Sequence, residues 1–138
     1  MASVTVVESL AGLTGFLLHF VAAVVLMVVF TAIYVRVTPY AEFALIREGK
    51  TAPAVSLSGA LLGFAIPLAS AVISSVSLLD MALWACVALV VQILVYLLLK
   101  AFLSHLAADI AADRLAPALL LATLSLAAGI ISAACMVF

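Results

Sequence analysis

The stretch LSGALLGFAIPLASAVISS, Leu57 to Ser75, is long and apolar enough to cross a bilayer, yet it is diluted with glycine, alanine, serine and one proline. A helix rising about 1.5 Å per residue needs about 20 residues to cross a hydrocarbon core of about 30 Å. Lipid offers no partners for backbone groups, so such a run must pair them within itself. It lacks the dyad alternation of a barrel strand and reads as a helix. Ser56, Gly59, Gly63, Pro67, Ser70, Ser74 and Ser77 recur every three or four residues and form one stripe. The opposite face carries Leu57, Leu61, Phe64, Leu68, Val72, Val76 and Leu79. Gly59 and Gly63 form a GxxxG pair that admits a second helix at close range, and the serines are expected to bond the backbone carbonyl that Pro67 leaves unpaired.

The rest of the chain has the same character. Of its 138 residues 70% are hydrophobic and 8% charged, with a mean hydropathy of +1.55. A soluble domain commonly carries charge on about a quarter of its residues. A net charge of -1 lacks the basic footprint of a nucleic-acid binder. The few charged groups divide the chain into four apolar spans, Thr14–Val35, Pro53–Val76, Met81–Phe102 and Leu115–Val137. The fold class is therefore all-α: one membrane domain, residues 1–138, of four helices forming two tandem hairpins. No Lys or Arg precedes the first span, and it is longer than a signal-peptide core, so it is expected to be retained. The segment before it, with Glu8 its one charge, either lies along the interface or extends the first helix outward.

Arg36, Arg47 and Lys50 belong to the first connection, and Lys100 and Arg114 bracket the third. Basic residues stay on the cytoplasmic side, so both termini are expected to face the periplasm or exterior. In VTPYAEFALIREGK, residues 37–50, Thr38 is expected to cap a short surface helix with Pro39 at its first position and Gly49 as its stop. Glu42, Arg47, Glu48 and Lys50 would form its wet, cytoplasmic surface. The third connection is expected to hold a similar helix with Asp109 and Asp113 on its wet side. That spacing is open to a metal or a basic partner, but it reads more plainly as a solvated face, since no third ligand stands nearby.

Asp80 and Trp84 mark the outer boundary at the tight second connection. His19 lies about 7 Å inside the outer end of the first span by helical rise. His19 and Asp80 either pair across helices or bond locally. Gln92 falls near the middle of the third span, shares a face with Ala85, Ala88 and Tyr96, and must bond another helix or a ligand. Cys86 and Cys135 both fall in outer-leaflet turns, where a disulfide is geometrically conceivable, but they match no redox or metal motif and read as buried thiols.

The fourth span repeats the small face with Ala118, Ala122, Ser125, Gly129 and Ser132. Laid over the second span at an offset of 58 residues, it is identical at Ala60/Ala118, Leu61/Leu119, Leu62/Leu120, Leu68/Leu126, Ala69/Ala127, Ile73/Ile131 and Ser74/Ser132. This suggests a tandem duplication, with halves of about 1–76 and 77–138, about an axis along the membrane normal.

The segments LIREGK, GFAIPLASA and AACM, in this order, resemble the YjfL-like family of bacterial inner-membrane proteins of unknown function, in which a half-length unit occurs twice. The resemblance covers nearly the whole chain. It implies a four-helix inner-membrane protein and brings no activity with it. The family pattern places an asparagine where this chain has Ser132.

No phosphate loop, nucleophile beside a base or deep carboxylate is present in the sequence, so neither an enzyme nor a cofactor is expected. Two readings stand. In one, an oligomeric channel- or transporter-like protein passes an ion or small solute along the small faces of the second and fourth spans. In the other, those faces are packing surfaces of a structural or regulatory subunit that binds a membrane or cytoplasmic partner. Beyond the lipid bilayer, the expected associations are with copies of the chain or such a protein partner.

Overall fold

The computed structural model describes residues 2–136, with side chains from residue 5 onward; Val137, the expected end of the fourth span, lies outside them. Six helices follow in order: α1 Ala2–Val37, α2 Glu42–Arg47, α3 Thr51–Ser74, α4 Leu78–Phe102, α5 Leu106–Ala111 and α6 Leu115–Cys135. The four long ones are apolar enough to cross a membrane. The segment before the first expected span continues its helix, so α1 has 36 residues. The second span starts and stops two residues earlier than expected, because Ser75 is already extended. The third begins three residues earlier, because Ser77 caps it by accepting from the Asp80 amide.

At the centre stands α3, which packs most extensively on α6 and then on α4 and α1. A Cβ added at Gly59 would lie 2.3 Å from the Ala122 Cα, one at Gly63 2.3 Å from the Ser125 carbonyl oxygen, and one at Gly129 2.2 Å from that of Gly63. Contacts advance along both helices together, so α3 and α6 run parallel. Between helices in lipid the attraction is largely van der Waals contact, which falls off steeply with separation. The small stripe thus serves as a backbone-to-backbone seam. The bulky face of α3 is enclosed as well: Leu57, Phe64 and Leu68 are buried, and Phe64 stacks on Phe30 of α1 at 4.3 Å. Met81, Ala85, Ala88, Gln92, Tyr96 and Leu99 are the buried face of α4.

The short helices cover one end of this bundle. Each closes with two reverse backbone bonds around a left-handed residue, Gly49 (φ 86°) after α2 and Asp113 (φ 64°) after α5. Glu42 and Leu106, which begin α2 and α5, are 64 residues apart, as are Thr51 and Leu115, which begin α3 and α6. The elements therefore recur at 64 rather than at the offset of 58. That register aligns Lys50, Ala52, Pro53 and Ala54 with Arg114, Ala116, Pro117 and Ala118.

Candidate functional site

Where the chain encloses polar side chains follows from the first connection. Thr38 does not cap α2, whose N-cap is Ala41 without a side-chain bond. Instead Thr38 closes α1, its amide bonding the Tyr34 carbonyl, while its hydroxyl reaches the Glu42 carboxylate. Glu42 itself is 2% exposed and so is no part of a wet surface, in contrast to expectation. Arg47 and Glu48 are exposed, and Lys50 is half-buried with its Nζ 3.5 Å from the Ala111 carbonyl oxygen, clamping α5 to the start of α3. The physical reason lies in the helix wheel. At about 100° per residue Glu42 points more than a right angle away from both Arg47 and Glu48.

Around Glu42 stand Tyr34 of α1, Tyr40 of the connection and Tyr96 of α4, all buried. The Tyr34 and Tyr96 rings meet edge to face at 6.1 Å. Their three hydroxyls and Glu42 Oε2 have no hydrogen-bond partner in the protein. Ser56 lies beside Tyr40 but gives its own hydroxyl to the Pro53 carbonyl. Burial pushes the Glu42 carboxyl up to about 7, opposed by the Thr38 bond. The Tyr40 phenol is also raised, by burial first and then by the Glu42 charge.

Deeper in the bundle, on the Tyr96 face of α4, lies Gln92, 1% exposed. Its Nε2 donates to the carbonyls of Gly63, at 2.9 Å, and Ser125, at 3.0 Å. Gly63 stands four residues before Pro67, so its carbonyl is the one that the proline leaves without a helical donor. That carbonyl was expected to go to a serine; the amide of another helix takes it. Gln92 Oε1 and Ser125 Oγ are enclosed without protein partners. Continuing along α4, Ala88, Ala85 and Met81 are buried and apolar. The enclosed polar groups without protein partners thus gather between Glu42 and Gln92, with Ser75 Oγ a separate one at the other end of α3.

The remaining expected residues sit apart. Ser56, Gly59, Gly63, Pro67, Ser125 and Gly129 are buried, while Ser70, Ser74 and Ser132 are half-buried. Ser70 donates to the Ala133 carbonyl across the seam at 3.0 Å. His19 and Asp80 do not pair. The His19 Nδ1 lies 2.8 Å from the Gly15 carbonyl oxygen of its own helix. The Asp80 Oδ2 accepts from the Val76 amide at 3.2 Å, while the Asp80 amide donates to the Ser77 hydroxyl at 3.1 Å. Trp84 and Ser132 line one cleft with Cys135. Cys86 and Cys135 are free thiols and exposed, not buried. Asp113 stays exposed, as expected, and also accepts from the Ala52 amide at 2.8 Å, while Asp109 is half-buried and pairs loosely with Arg114 at 3.8 Å. Among the described residues no His, Cys, Asp or Glu side chains gather into a metal-binding group. Tyr34, Tyr40 and Asp113 acquire their roles only in the fold. The usable signal in the sequence was Tyr34, Thr38 and Glu42 at intervals of four.

The family described as Domain of Unknown Function (DUF350) matches residues 8–136. The chain is 37% identical over 127 residues to the UPF0719 inner membrane protein YjfL of Escherichia coli strain K12, covering 92% of this chain and 96% of that protein. The protein of the same name from Escherichia coli O157:H7 is similar to the same extent, with 37% identity over 127 residues. No solved structure matches.

Proposed function

This inner-membrane, multi-pass chain belongs to the DUF350 family, and on that premise we propose that it handles a small inorganic cation at the polar column enclosed between α1, α3 and α4. One observation carries the reading: of the seven enclosed, partnerless polar atoms among the described residues, six lie around Glu42 and Gln92, while the α4 face beyond Gln92 is apolar. Ionisable and polar groups enclosed in a membrane protein are costly and are by default functional. The small stripes of α3 and α6 are filled by each other's backbone, so within one chain they leave no room for a solute. The ion-handling role expected of them passes to the column. Its groups, one carboxyl with phenols and amides, suit binding and not catalysis.

In this reading the α2 and α5 end faces the cytoplasm, since Arg36, Arg47, Lys50, Lys100 and Arg114 lie on or beside the connections there. A reporter fused after the last residue is expected to be active only in the periplasm; activity only in the cytoplasm overturns the orientation. The function is tested by reconstituting the chain in vesicles and following monovalent cation and proton flux. Flux that disappears in Glu42→Gln supports it, and absence of flux from the unaltered protein sinks it.

A second reading, a subunit that assembles in the membrane, draws on a different observation. The outer half of α1 packs little, and between it and α3 opens a cleft of about 670 Å³ lined by Gly12, Gly15, Phe16, His19, Ala69 and Val72 among others. In a homo-oligomer this cleft receives a helix of a second copy. Disulfide cross-linking between copies carrying Gly12→Cys supports that reading, and its absence in native membranes counts against it.

A further inference from the structure

The α2 end of the core contains an acid without a counter-charge. One oxygen of Glu42 accepts from Thr38 and the other has no partner, although the side chain is 98% enclosed, being 2% exposed. The groups that face it can be named for each surrounding element. Tyr34 and Thr38 come from the end of α1, Tyr40 from the connection and Tyr96 from α4; the nearest named group of α3, Ser56, lies beside Tyr40 and does not titrate. The basic groups of this end are engaged or turned elsewhere. Arg36, Arg47 and Lys100 are exposed, Lys50 donates to Ala111, and Arg114 pairs with Asp109. Among the described residues none forms an ion pair with Glu42.

A carboxyl in such surroundings is either neutral or holds a cation, because an isolated charge in an apolar interior is too costly. The surrounding phenols suit both states. A phenol oxygen accepts from a protonated carboxyl, and its lone pairs are hard oxygen ligands for a metal ion. We propose that Glu42, Tyr34, Tyr40 and Tyr96 form a site for one dehydrated alkali-metal cation, which enters as the Glu42 carboxyl releases its proton. This rests on the cation-handling reading above and names its ligand.

Charge and space select the class. The site offers one negative charge, matched by a monovalent ion; divalent cations are commonly held by two or more carboxylates or retain much of their water. The rings pack on one another, with centroids 5.6 Å apart for Phe30 and Tyr34 and 6.1 Å for Tyr34 and Tyr96, and are not splayed into a cage for an organic ammonium. The exchange balances. Carboxylic acid and free cation become carboxylate-bound cation and a proton that leaves to water.

The test uses the full chain in lipid nanodiscs, in weakly buffered solution at about pH 7. Sodium or potassium chloride is added, with N-methylglucamine chloride at equal ionic strength as the comparison. The expected result is a saturable release of protons with an alkali chloride and none with the organic salt. At about pH 9, where the carboxyl is ionised, the alkali cation is also expected to raise the melting temperature. Glu42→Gln should lose both responses. Tyr96→Phe, which keeps the ring, should weaken cation binding about ten-fold. Equal or absent release with both salts in the unaltered protein overturns the proposal, and that measurement needs no variant to fold. Release retained in a cooperatively melting Glu42→Gln protein overturns it too. Binding without vesicle flux would sink the transport reading and leave this site standing; flux without Glu42-dependent proton release would do the reverse.

Discussion

Replacing Gly129 by alanine tests the seam between α3 and α6 at its tightest point. The new methyl would lie 2.2 Å from the Gly63 carbonyl oxygen and 2.7 Å from its Cα. Carbon and oxygen rest at about 3.3 Å or more, so the two helices must part by about 1 Å. The obstacle is backbone, which cannot swing aside as a side chain would. Overfilling a packed contact typically costs about 1–3 kcal/mol. The separation also stretches the two Gln92 bonds, to Gly63 and Ser125, and interhelical bonds in lipid are worth about 0.6 kcal/mol on average and up to about 1.7. The expected loss is therefore about 2–4 kcal/mol. Equilibrium unfolding in mixed micelles is the assay, followed by the fluorescence of Trp84, the single tryptophan, which shares a cleft with Ser132 and Cys135 of α6. Gly12→Ala is the internal comparison, since a Cβ there meets nothing within 4 Å. It should be neutral or slightly stabilising, because alanine favours the helix by about 0.5–1 kcal/mol. If Gly129→Ala unfolds alongside Gly12→Ala, the close-seam reasoning is refuted.

Three further outcomes are expected. Asp113→Ala removes the acceptor for the Ala52 amide and should cost about 1 kcal/mol, with faster hydrogen exchange at the first turn of α3; an unchanged exchange rate would contradict the cap. Glu42 has a folded pKa raised from 4.5 to about 7, so the folded state binds more protons between those values and loses stability as pH rises through that window. The loss should total about 3 kcal/mol, in the absence of alkali cations, and Glu42→Gln should flatten the curve; a pH profile shared by both proteins would refute the assignment. Gln92→Leu strips the donor from the carbonyl freed by Pro67 and should destabilise by about 1–2 kcal/mol, whereas adding Pro67→Ala, which restores a helical donor, should recover part of that loss. No recovery in the double variant would separate the two residues.

What the sequence disclosed follows from which rules lipid enforces. Four spans and the two-faced character of α3 were readable because a membrane helix must be long, apolar and internally bonded, whatever it packs against. The surface helices were readable from their stops, and Gly49 does take the left-handed conformation. Glu42 escapes a reading by charge alone because the helical turn, at about 100° per residue, sets it more than a right angle from Arg47 and Glu48 and into the core. The offset of 58 came from matching leucine and alanine, which recur by chance in any such helix. The register of 64 is carried by Lys50, Pro53 and their counterparts Arg114 and Pro117, where composition is distinctive. Gln92 was recognised as needing a partner, but its acceptor could be found only by asking which carbonyl Pro67 abandons. The tyrosine cluster depends on three segments distant in sequence and becomes visible only when they are folded together.

The links between the halves also impose an order on synthesis. When α1, α2 and α3 have left the ribosome, the Ala52 amide still lacks Asp113 and the Gly63 carbonyl still lacks Gln92, both of which are yet to be made. The first hairpin enters the bilayer with a helix start uncapped and a mid-membrane carbonyl bare. Only the arrival of α4 through α6 closes both. The nascent chain must therefore hold an unfinished hairpin in lipid until its second half arrives, and a chain truncated between the halves would keep the Gly63 carbonyl without its Gln92 donor.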